Sequence, residues 1–479
     1  MNYKIIRFII GWVLIFEAVF IAPSLVVALI YREQAGFSLL AAAFLCLAAG
    51  FLLSRQKKSW NKGMYAREGF VAVALCWLVL SAFGALPFVI SGAIPSYIDA
   101  LFEVVSGFTT TGSSILPEVE SMPRCLLFWR SFTHWVGGMG VLVFVMAVLP
   151  LAGGTNMYLM KAESPGPSVG KLVPKVKSTA TLLYGMYVGL SLLQLFFLLI
   201  GRMPLFDSLV TVFGTAGTGG FGIKNDSIGG YSPYLQVVVT VFMILFGINF
   251  NVYFLLIRRK LRDAAGSVEV RAYLAIIAVS IALITINISG MFPSVWTALR
   301  HAAFQVGSII TTTGFATADF DLWPSFSKTL LVMLMFIGAC AGSTGGGMKV
   351  SRIVILFKSI LKELDVIAHP RNVRKLKMDG RLIEHAVVRS VNVFLASYVM
   401  LFALSVLLIS LDNFDFTTNF TAVAATINNI GPGLALVGPT QNFGMYSDFS
   451  KLVLTFDMLA GRLELFPLLI LFAKNTWRK

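Results

Sequence analysis

The sequence predicts an all-α integral membrane protein, and three observations carry that expectation. Of its 479 residues, 57% are hydrophobic and only 13% are charged, whereas soluble domains run nearer half and a quarter. Ten stretches nearly free of charge recur along the chain, and a Gly/Thr- or Gly/Asn-rich turn recurs four times at matching offsets. Together these give ten transmembrane helices: two at the N-terminus, then four units of span, half-helix and span around one central pore.

The apolar stretches lie at 8–31, 34–54, 69–98, 131–152, 178–201, 233–257, 272–292, 329–348, 390–411 and 452–473. At about 1.5 Å per residue each can cross about 30 Å of hydrocarbon. The first is too long for a signal-peptide core, lacks a small-residue cleavage pattern and is followed at once by a second span. Lys4 and Arg7 before it predict a cytoplasmic N-terminus.

Positive charge then predicts the rest of the topology. With both termini inside, the segments 1–7, 54–68, 153–177, 258–271, 349–389 and 474–479 hold 29 of the 38 Lys and Arg. Eight lie in outside loops, among them Arg124, Arg130 and Lys451, and Arg462 lies within the last span. The net charge of +15 therefore belongs to the cytoplasmic face, where it orients the chain and meets anionic lipid. Nucleic-acid binding is not implied. The four cysteines (Cys46, Cys76, Cys125, Cys340) and four histidines (His134, His301, His369, His385) show neither a disulfide framework nor zinc spacing.

The four turns read Thr109-Thr110-Thr111-Gly112-Ser113, Thr218-Gly219-Gly220-Phe221, Thr311-Thr312-Thr313-Gly314-Phe315 and Asn428-Asn429-Ile430-Gly431-Pro432. Aligning Gly112, Gly220, Gly314 and Gly431 places Val105, Phe213, Gly307 and Ala424 each seven residues earlier. Phe102 and Phe304 fall ten before their glycines, and Asp99 and Asp207 thirteen before. A helix of about thirteen residues enters a membrane halfway and cannot cross it. Backbone that leaves a helix at that depth must be buried in protein or line water. Re-entrant pore loops meet this requirement, and their helix C-termini favour a cation. Carbonyls lining such a ring can replace a cation's hydration shell. The expected ion-binding set is Thr110, Thr111 and Gly112; Thr218, Gly219 and Gly220; Thr312, Thr313 and Gly314; and Asn429, Ile430 and Gly431. Ordinary extracellular turns are also rich in Gly and Thr, but four at matching offsets, each between spans, favour the pore.

These motifs resemble the TrkH/TrkG potassium uptake proteins of bacteria, in the wider Trk/Ktr/HKT superfamily. The resemblance covers nearly the whole chain and extends to the run from Gly338 to Lys349 and to Gly461-Arg462-Leu463-Glu464. The two extra N-terminal spans are similar to the TrkH branch. The resemblance implies K⁺ uptake in the bacterial cytoplasmic membrane and a homodimer with one pore per protomer. It also implies a cytosolic TrkA-type regulatory ring that binds the nucleotide, leaving this chain with no cofactor beyond the transported ion. In the superfamily, serine at the first-repeat glycine goes with Na⁺; Gly112 therefore implies K⁺. The second loop carries more glycine than the TrkH pattern.

Two features suggest gating. In 338–348, six of eleven residues are Gly or Ser, which disfavours a helix interior. Close helix packing through small residues is one reading; a broken helix obstructing the pore under the filter is the other, and three consecutive glycines favour it. The family equivalent is an intramembrane gating loop, so Gly345, Gly346, Gly347 and Lys349 are its expected residues. Arg462 is the second feature, a charge deep in a span. On one continuous helix Asp457 and Glu464 lie about 20° apart and Arg462 about 140° away from Asp457. Arg462 is expected to point into the pore, with a salt bridge to a neighbouring repeat as the alternative. The basic segments 153–177 and 349–389 are expected docking surfaces for the regulatory ring.

Gly217 to Gly222 matches a dinucleotide fingerprint without the βαβ context that gives it meaning, and Gly342 to Gly347 lacks the Lys-Ser/Thr of a P-loop. No catalytic Ser–His–Asp or Cys–His arrangement is legible, so no enzyme is expected. Competing readings are a secondary transporter coupling ions or moving a larger solute, a Na⁺-conducting pore, and a membrane scaffold or receptor. The expected units are 1–67, 68–177, 178–268, 269–380 and 381–479.

Overall fold

The computed structural model describes residues 1–55, 66–140, 176–370 and 375–477. The described chain is mostly helix, with one small hairpin pairing Lys377–Met378 with Arg381–Leu382. Its turn, Asp379-Gly380, has positive φ at both residues (50° and 76°), the conformation that makes Asp-Gly a two-residue hairpin turn. The Asp379 carboxylate accepts the Val268 N–H at 2.8 Å and so caps the helix Val268–Ile288, whose own N-cap Ser267 contributes no side-chain bond.

Two helices, Tyr3–Tyr31 and Gly36–Ser54, form the N-terminal pair. They approach closely because Gly11 and Gly50 face each other. A Cβ on Gly50 would lie 2.8 Å from the Gly11 carbonyl oxygen. Glu33, in the turn between them, accepts the backbone N–H groups of Arg124 and Cys125, both at 2.8 Å. A carboxylate at a helix N-terminus satisfies orphan donors and opposes the helix dipole. This cap ties the pair to the helix Arg124–Gly138.

Four units follow. Their opening spans are Ala66–Gly84 extended by Leu86–Ser91, Val176–Ile200, Val268–Ile288 and His385–Ile409. Their half-helices are Tyr97–Phe108, Leu205–Ala216, Val295–Ile310 and Phe416–Ile427. Each closes with a second helix beginning at Arg124, Pro233, Ser325 or Asp448. Among the described residues six helices are long and apolar enough to cross a membrane, and a seventh counts if the bent pair in the second unit is one span. Large apolar side chains such as Leu29, Phe44, Phe196, Ile286 and Met400 point outward, as lipid contact requires. The chain is a multi-pass membrane protein.

Three expected spans are not continuous helices. Within 233–257 the chain bends by 91° between Pro233–Phe246 and Phe250–Ile257. The span expected at 329–348 stops at Met335, and residues 336–349 run without helix until Val350–Ala368. The span expected at 452–473 stops at Arg462, where Glu464 and Leu465 take positive φ (59° and 65°). Apolar composition signals burial in lipid and is silent on local backbone breaks, so hydropathy merged these segments. Of the expected span 131–152, residues 141–152 lie outside the described residues, as do 153–175 of one expected docking segment and 371–374 of the other. The Gly11–Gly50 approach makes a prediction. Gly50→Val is expected to cost about 1–3 kcal/mol by overpacking, read as a lower melting temperature in detergent. An unchanged melting temperature would place the tight seam of this pair elsewhere.

Candidate functional site

The half-helices begin with caps that their sequences supply. Ser96, Ser294 and Asp415 accept the N–H groups of Asp99, Thr297 and Thr418, the usual N-cap chemistry. The Asp415 carboxyl sits below the ordinary carboxylate range because the Thr418 hydroxyl and N–H both donate to it. Asp99 and Asp207 fall in the first turns of the first two half-helices. Asp99 pairs with Lys451 at 2.5 Å, and Asp207 accepts the Tyr231 hydroxyl at 2.8 Å.

All four half-helices end the same way. The C-cap residues Thr109, Gly217, Thr311 and Asn428 donate to Val105, Phe213, Gly307 and Ala424, the residues that the sequence alignment set seven before each glycine. The next residue is left-handed in every loop: Thr110 (φ 58°), Thr218 (55°), Thr312 (59°) and Asn429 (55°). The residue after that donates its N–H five positions back, from Thr111, Gly219, Thr313 and Ile430 to Ser106, Gly214, Ser308 and Ala425, at 2.8–2.9 Å. This is the Schellman arrangement, with threonine in three loops and asparagine in the fourth where glycine is usual. Left-handed backbone is strained for a β-branched residue. Gly112, Gly220, Gly314 and Gly431 then return to positive φ (81°, 80°, 84° and 101°).

The four glycines close a ring. A Cβ on Gly112 would overlap the Gly219 carbonyl oxygen, and one on Gly220 that of Thr313. One on Gly314 would overlap the Ile430 carbonyl, and one on Gly431 would lie 2.9 Å from that of Thr111. Each loop thus abuts the next in chain order, and the fourth returns to the first. The twelve expected filter residues are all brought to this ring. A cavity of about 140 Å³ opens on the side where the half-helices begin, lined by all four glycines. Four helix C-termini point their partial negative charge at one place, and a ring of backbone oxygens there is suited to a desolvated cation.

Buried polar side chains hold the loops from behind. Glu103 accepts from Arg130 at 2.6 Å, from the Ser114 hydroxyl at 2.9 Å and from the Ile115 N–H at 2.9 Å. Arg130 also donates to the Gly222 carbonyl and lies 3.4 Å from the centre of the Phe221 ring. The pair therefore links the first loop to the second. Arg130, expected in an outside loop, lies buried within the helix Arg124–Gly138, and Lys451 is likewise buried in its helix. In the fourth loop Asn429 donates to the Thr111 hydroxyl (2.9 Å) and to the Met458 carbonyl (2.8 Å).

On the opposite side of the ring lies the glycine-rich segment. The Gly346 N–H donates to the Thr312 hydroxyl at 2.7 Å. A Cβ on Gly345 would lie 2.9 Å from the Thr311 carbonyl oxygen, and one on Gly346 would lie 2.7 Å from that of Asn428. Gly347 takes φ 71°, and Lys349, buried with φ 70°, donates to the Gly345 carbonyl. Arg462 donates to the Thr110 hydroxyl (3.1 Å), the Thr344 carbonyl (2.8 Å) and the carbonyls of Gly137 and Gly138. It therefore spans from the first loop to the glycine-rich segment. The helical projection of Glu464 does not hold, because the helix ends at Arg462. Glu464 instead pairs with Arg352 at 2.6 Å, and Asp457 accepts the Ser405 hydroxyl at 2.7 Å.

Sequence reasoning missed Glu103, His134 and Glu269 as functional candidates. Glu269 accepts from the N–H groups of Ala341 (2.6 Å) and Ser351 (3.1 Å), and so holds both ends of the glycine-rich segment. Its signal was an acidic residue at the mouth of an apolar span. Glu103 had one as well, since it lies inside a half-helix nine residues before Gly112.

The family model described as "TrkH: Cation transport protein" matches residues 35–479. Over 486 residues the chain is 38% identical to the Trk system potassium uptake protein TrkH of Salmonella typhimurium, covering 100% of both. It is 33% identical to the Trk system potassium uptake protein TrkG of Escherichia coli, covering 100% of this chain and 99% of that protein. The crystal structure of the potassium transporter TrkH from Vibrio parahaemolyticus matches with a TM-score of 0.89 at 34% identity, covering 100% of both chains.

The buried ion pair behind the ring is open to test. Glu103→Gln leaves Arg130 charged and without its carboxylate, and is expected to cost about 3–5 kcal/mol of stability. Replacing both residues by methionine is expected to cost less than Glu103→Gln alone. A melting temperature for Glu103→Gln equal to that of the parent would remove the pair from the supports of the ring.

Proposed function

The chain belongs to the TrkH family of cation transport proteins, and from that premise we infer that it takes up K⁺ across the membrane through the ring of its four loops. The closed contact ring of Gly112, Gly220, Gly314 and Gly431 is the observation that carries this reading. The filter is formed by Thr110–Gly112, Thr218–Gly220, Thr312–Gly314 and Asn429–Gly431. A K⁺ ion that sheds its water there meets carbonyl oxygens from four sides. Glycine is required at the third position of each set because the neighbouring carbonyl occupies the space of a side chain. The four repeated units make one pore within one chain. Gly112 rather than serine supports K⁺ over Na⁺.

The cytoplasmic half of the pathway is closed by two restraints. The segment 338–348 lies across it and is hydrogen-bonded to the filter through Thr312. Arg462 places a fixed positive charge beside the Thr110 hydroxyl, where it opposes a cation leaving the filter. A cytosolic TrkA-type nucleotide-binding ring, docked on the basic cytoplasmic segments, draws the glycine-rich segment aside; the nucleotide belongs to that partner. Two protomers form a homodimer, each with its own pore, in the bacterial inner membrane with N- and C-termini in the cytoplasm. The excess of Lys and Arg in the expected cytoplasmic segments supports this orientation.

Uptake of radioactive Rb⁺ into liposomes holding the purified protein with its regulatory partner tests the reading. Excess K⁺ is expected to compete and Na⁺ to compete weakly. Absence of any alkali-cation uptake under these conditions overturns it. Gly314→Ala, which strains a left-handed position by about 1–2 kcal/mol and pushes on the Ile430 carbonyl, is expected to lower uptake by about tenfold. Arg462→Gln is expected to raise uptake measured without the partner; unchanged uptake counts against a role for this charge in the pore.

A further inference from the structure

The four loops share one backbone path yet differ in what steadies it. In the first and third, two hydroxyls flank the left-handed threonine and bond to each other: Thr109 to Thr111 at 2.8 Å and Thr311 to Thr313 at 2.7 Å. In the same two loops the first hydroxyl also donates to the helix, from Thr109 to Val105 and from Thr311 to Gly307, both at 2.6 Å. The fourth loop uses amides. Asn428 donates to Ala424 and accepts from Tyr398, and Asn429 reaches Thr111 and Met458. The second loop has glycine at both flanking positions, Gly217 and Gly219. Glycine supplies no side-chain bond and the most backbone freedom, which is unsuited to a ring that must hold one radius.

His134 fills that gap. It comes from the second helix of the first unit and is fully buried. A Cβ on Gly219 would fall on the His134 ring, and a Cβ on Gly217 would overlap the His134 backbone carbonyl. The imidazole therefore occupies the space taken in other loops by the loop's own side chain. It makes two directed bonds. Nε2 accepts the Phe221 N–H at 3.1 Å, and Nδ1 lies 2.7 Å from the Gly107 carbonyl oxygen. Because an amide N–H can only donate, Nε2 must be the acceptor, so the proton sits on Nδ1 and is donated to Gly107. The ring also packs on Phe221 at 4.2 Å between centroids. One side chain thus joins the end of the first half-helix to the residue after Gly220.

We propose that His134 is a positioning residue for ion selectivity. It stands in for the hydroxyl pair that the second loop lacks, fixing the carbonyls of Thr218, Gly219 and Gly220 from behind. This rests on the reading of the four loops as the filter. It also explains why position 219 is glycine, since the imidazole fills the space of its side chain; at Gly217 that space is taken by the His134 backbone carbonyl. In the fourth unit the corresponding position is Met458, since Gly137 and Gly461 make the same close approach to the carbonyl four residues before their filter glycines.

The experiment measures Rb⁺ and Na⁺ uptake into liposomes holding the protein with its regulatory partner. Parent protein that takes up no alkali cation sinks the functional reading itself. With a selective parent, His134→Met, the residue used in the fourth unit, is expected to keep Rb⁺ uptake while the Rb⁺-to-Na⁺ ratio falls about tenfold, the effect of one lost directed bond of ordinary strength. His134→Gln, whose carbonyl can accept from Phe221, is expected to retain more of the ratio. A purely structural role would lower both fluxes together and leave the ratio unchanged, which overturns the proposal. If His134→Met does not yield folded protein, His134→Leu decides, because it removes both directed bonds while keeping an apolar side chain of similar size. A fall in ratio supports the proposal and an unchanged ratio refutes it.

Discussion

Backbone that stops being helical at membrane depth still has to find a partner for each N–H and C=O. That constraint governs the centre of this molecule, where four half-helices end and the second helices of the units end or bend beside them. Each half-helix closes its own last turn through the Schellman bonds. The segment 336–349 cannot, and it borrows partners from neighbours. Cys340 donates to the Gly247 carbonyl and Phe250 donates to that of Gly342, both at 3.1 Å. Ala341 and Ser351 donate to Glu269, and Gly346 donates to Thr312. The 91° bend in the second unit and the broken helix in the third are therefore one shared structure, each supplying bonds that the other has lost.

The same constraint explains five of the buried charges. Glu103, Arg130, Glu269, Lys349 and Arg352 are all nearly inaccessible, where an unpartnered charge is costly. Every one of them bonds to backbone in or beside the loops: Glu103 to Ile115, Arg130 to Gly222, Glu269 to Ala341, Lys349 to Gly345 and Arg352 to Met348. Their charge strengthens these bonds, and the loops gain fixed positions that neutral turns would lack. Arg462 follows the same pattern, donating to the backbone carbonyls of Thr344, Gly137 and Gly138 and to the Thr110 hydroxyl.

The four-fold arrangement holds in the backbone and fails in the side chains. Positive φ recurs at the same two positions in all four loops, because a ring of equal radius demands equal backbone. What holds that backbone is free to differ: hydroxyl pairs, an imidazole, or amides. A single chain carrying four units can vary each support separately, which four identical subunits could not.

The sequence alone determined the membrane class, the N-terminal pair, the four units and the register of the four glycines. These follow from composition, charge placement and the fixed spacing between half-helix and turn, all of which are local. It did not determine where the second helices break, since apolar residues are equally compatible with a continuous helix and with a buried break. Nor did it identify Glu103, Arg130, His134 and Glu269, whose partners are distant in sequence. The glycine excess of the second loop was legible as a departure and had no local cause. Only the tertiary structure supplied one, because His134 reaches that loop from another unit and takes up the space where a side chain would have been.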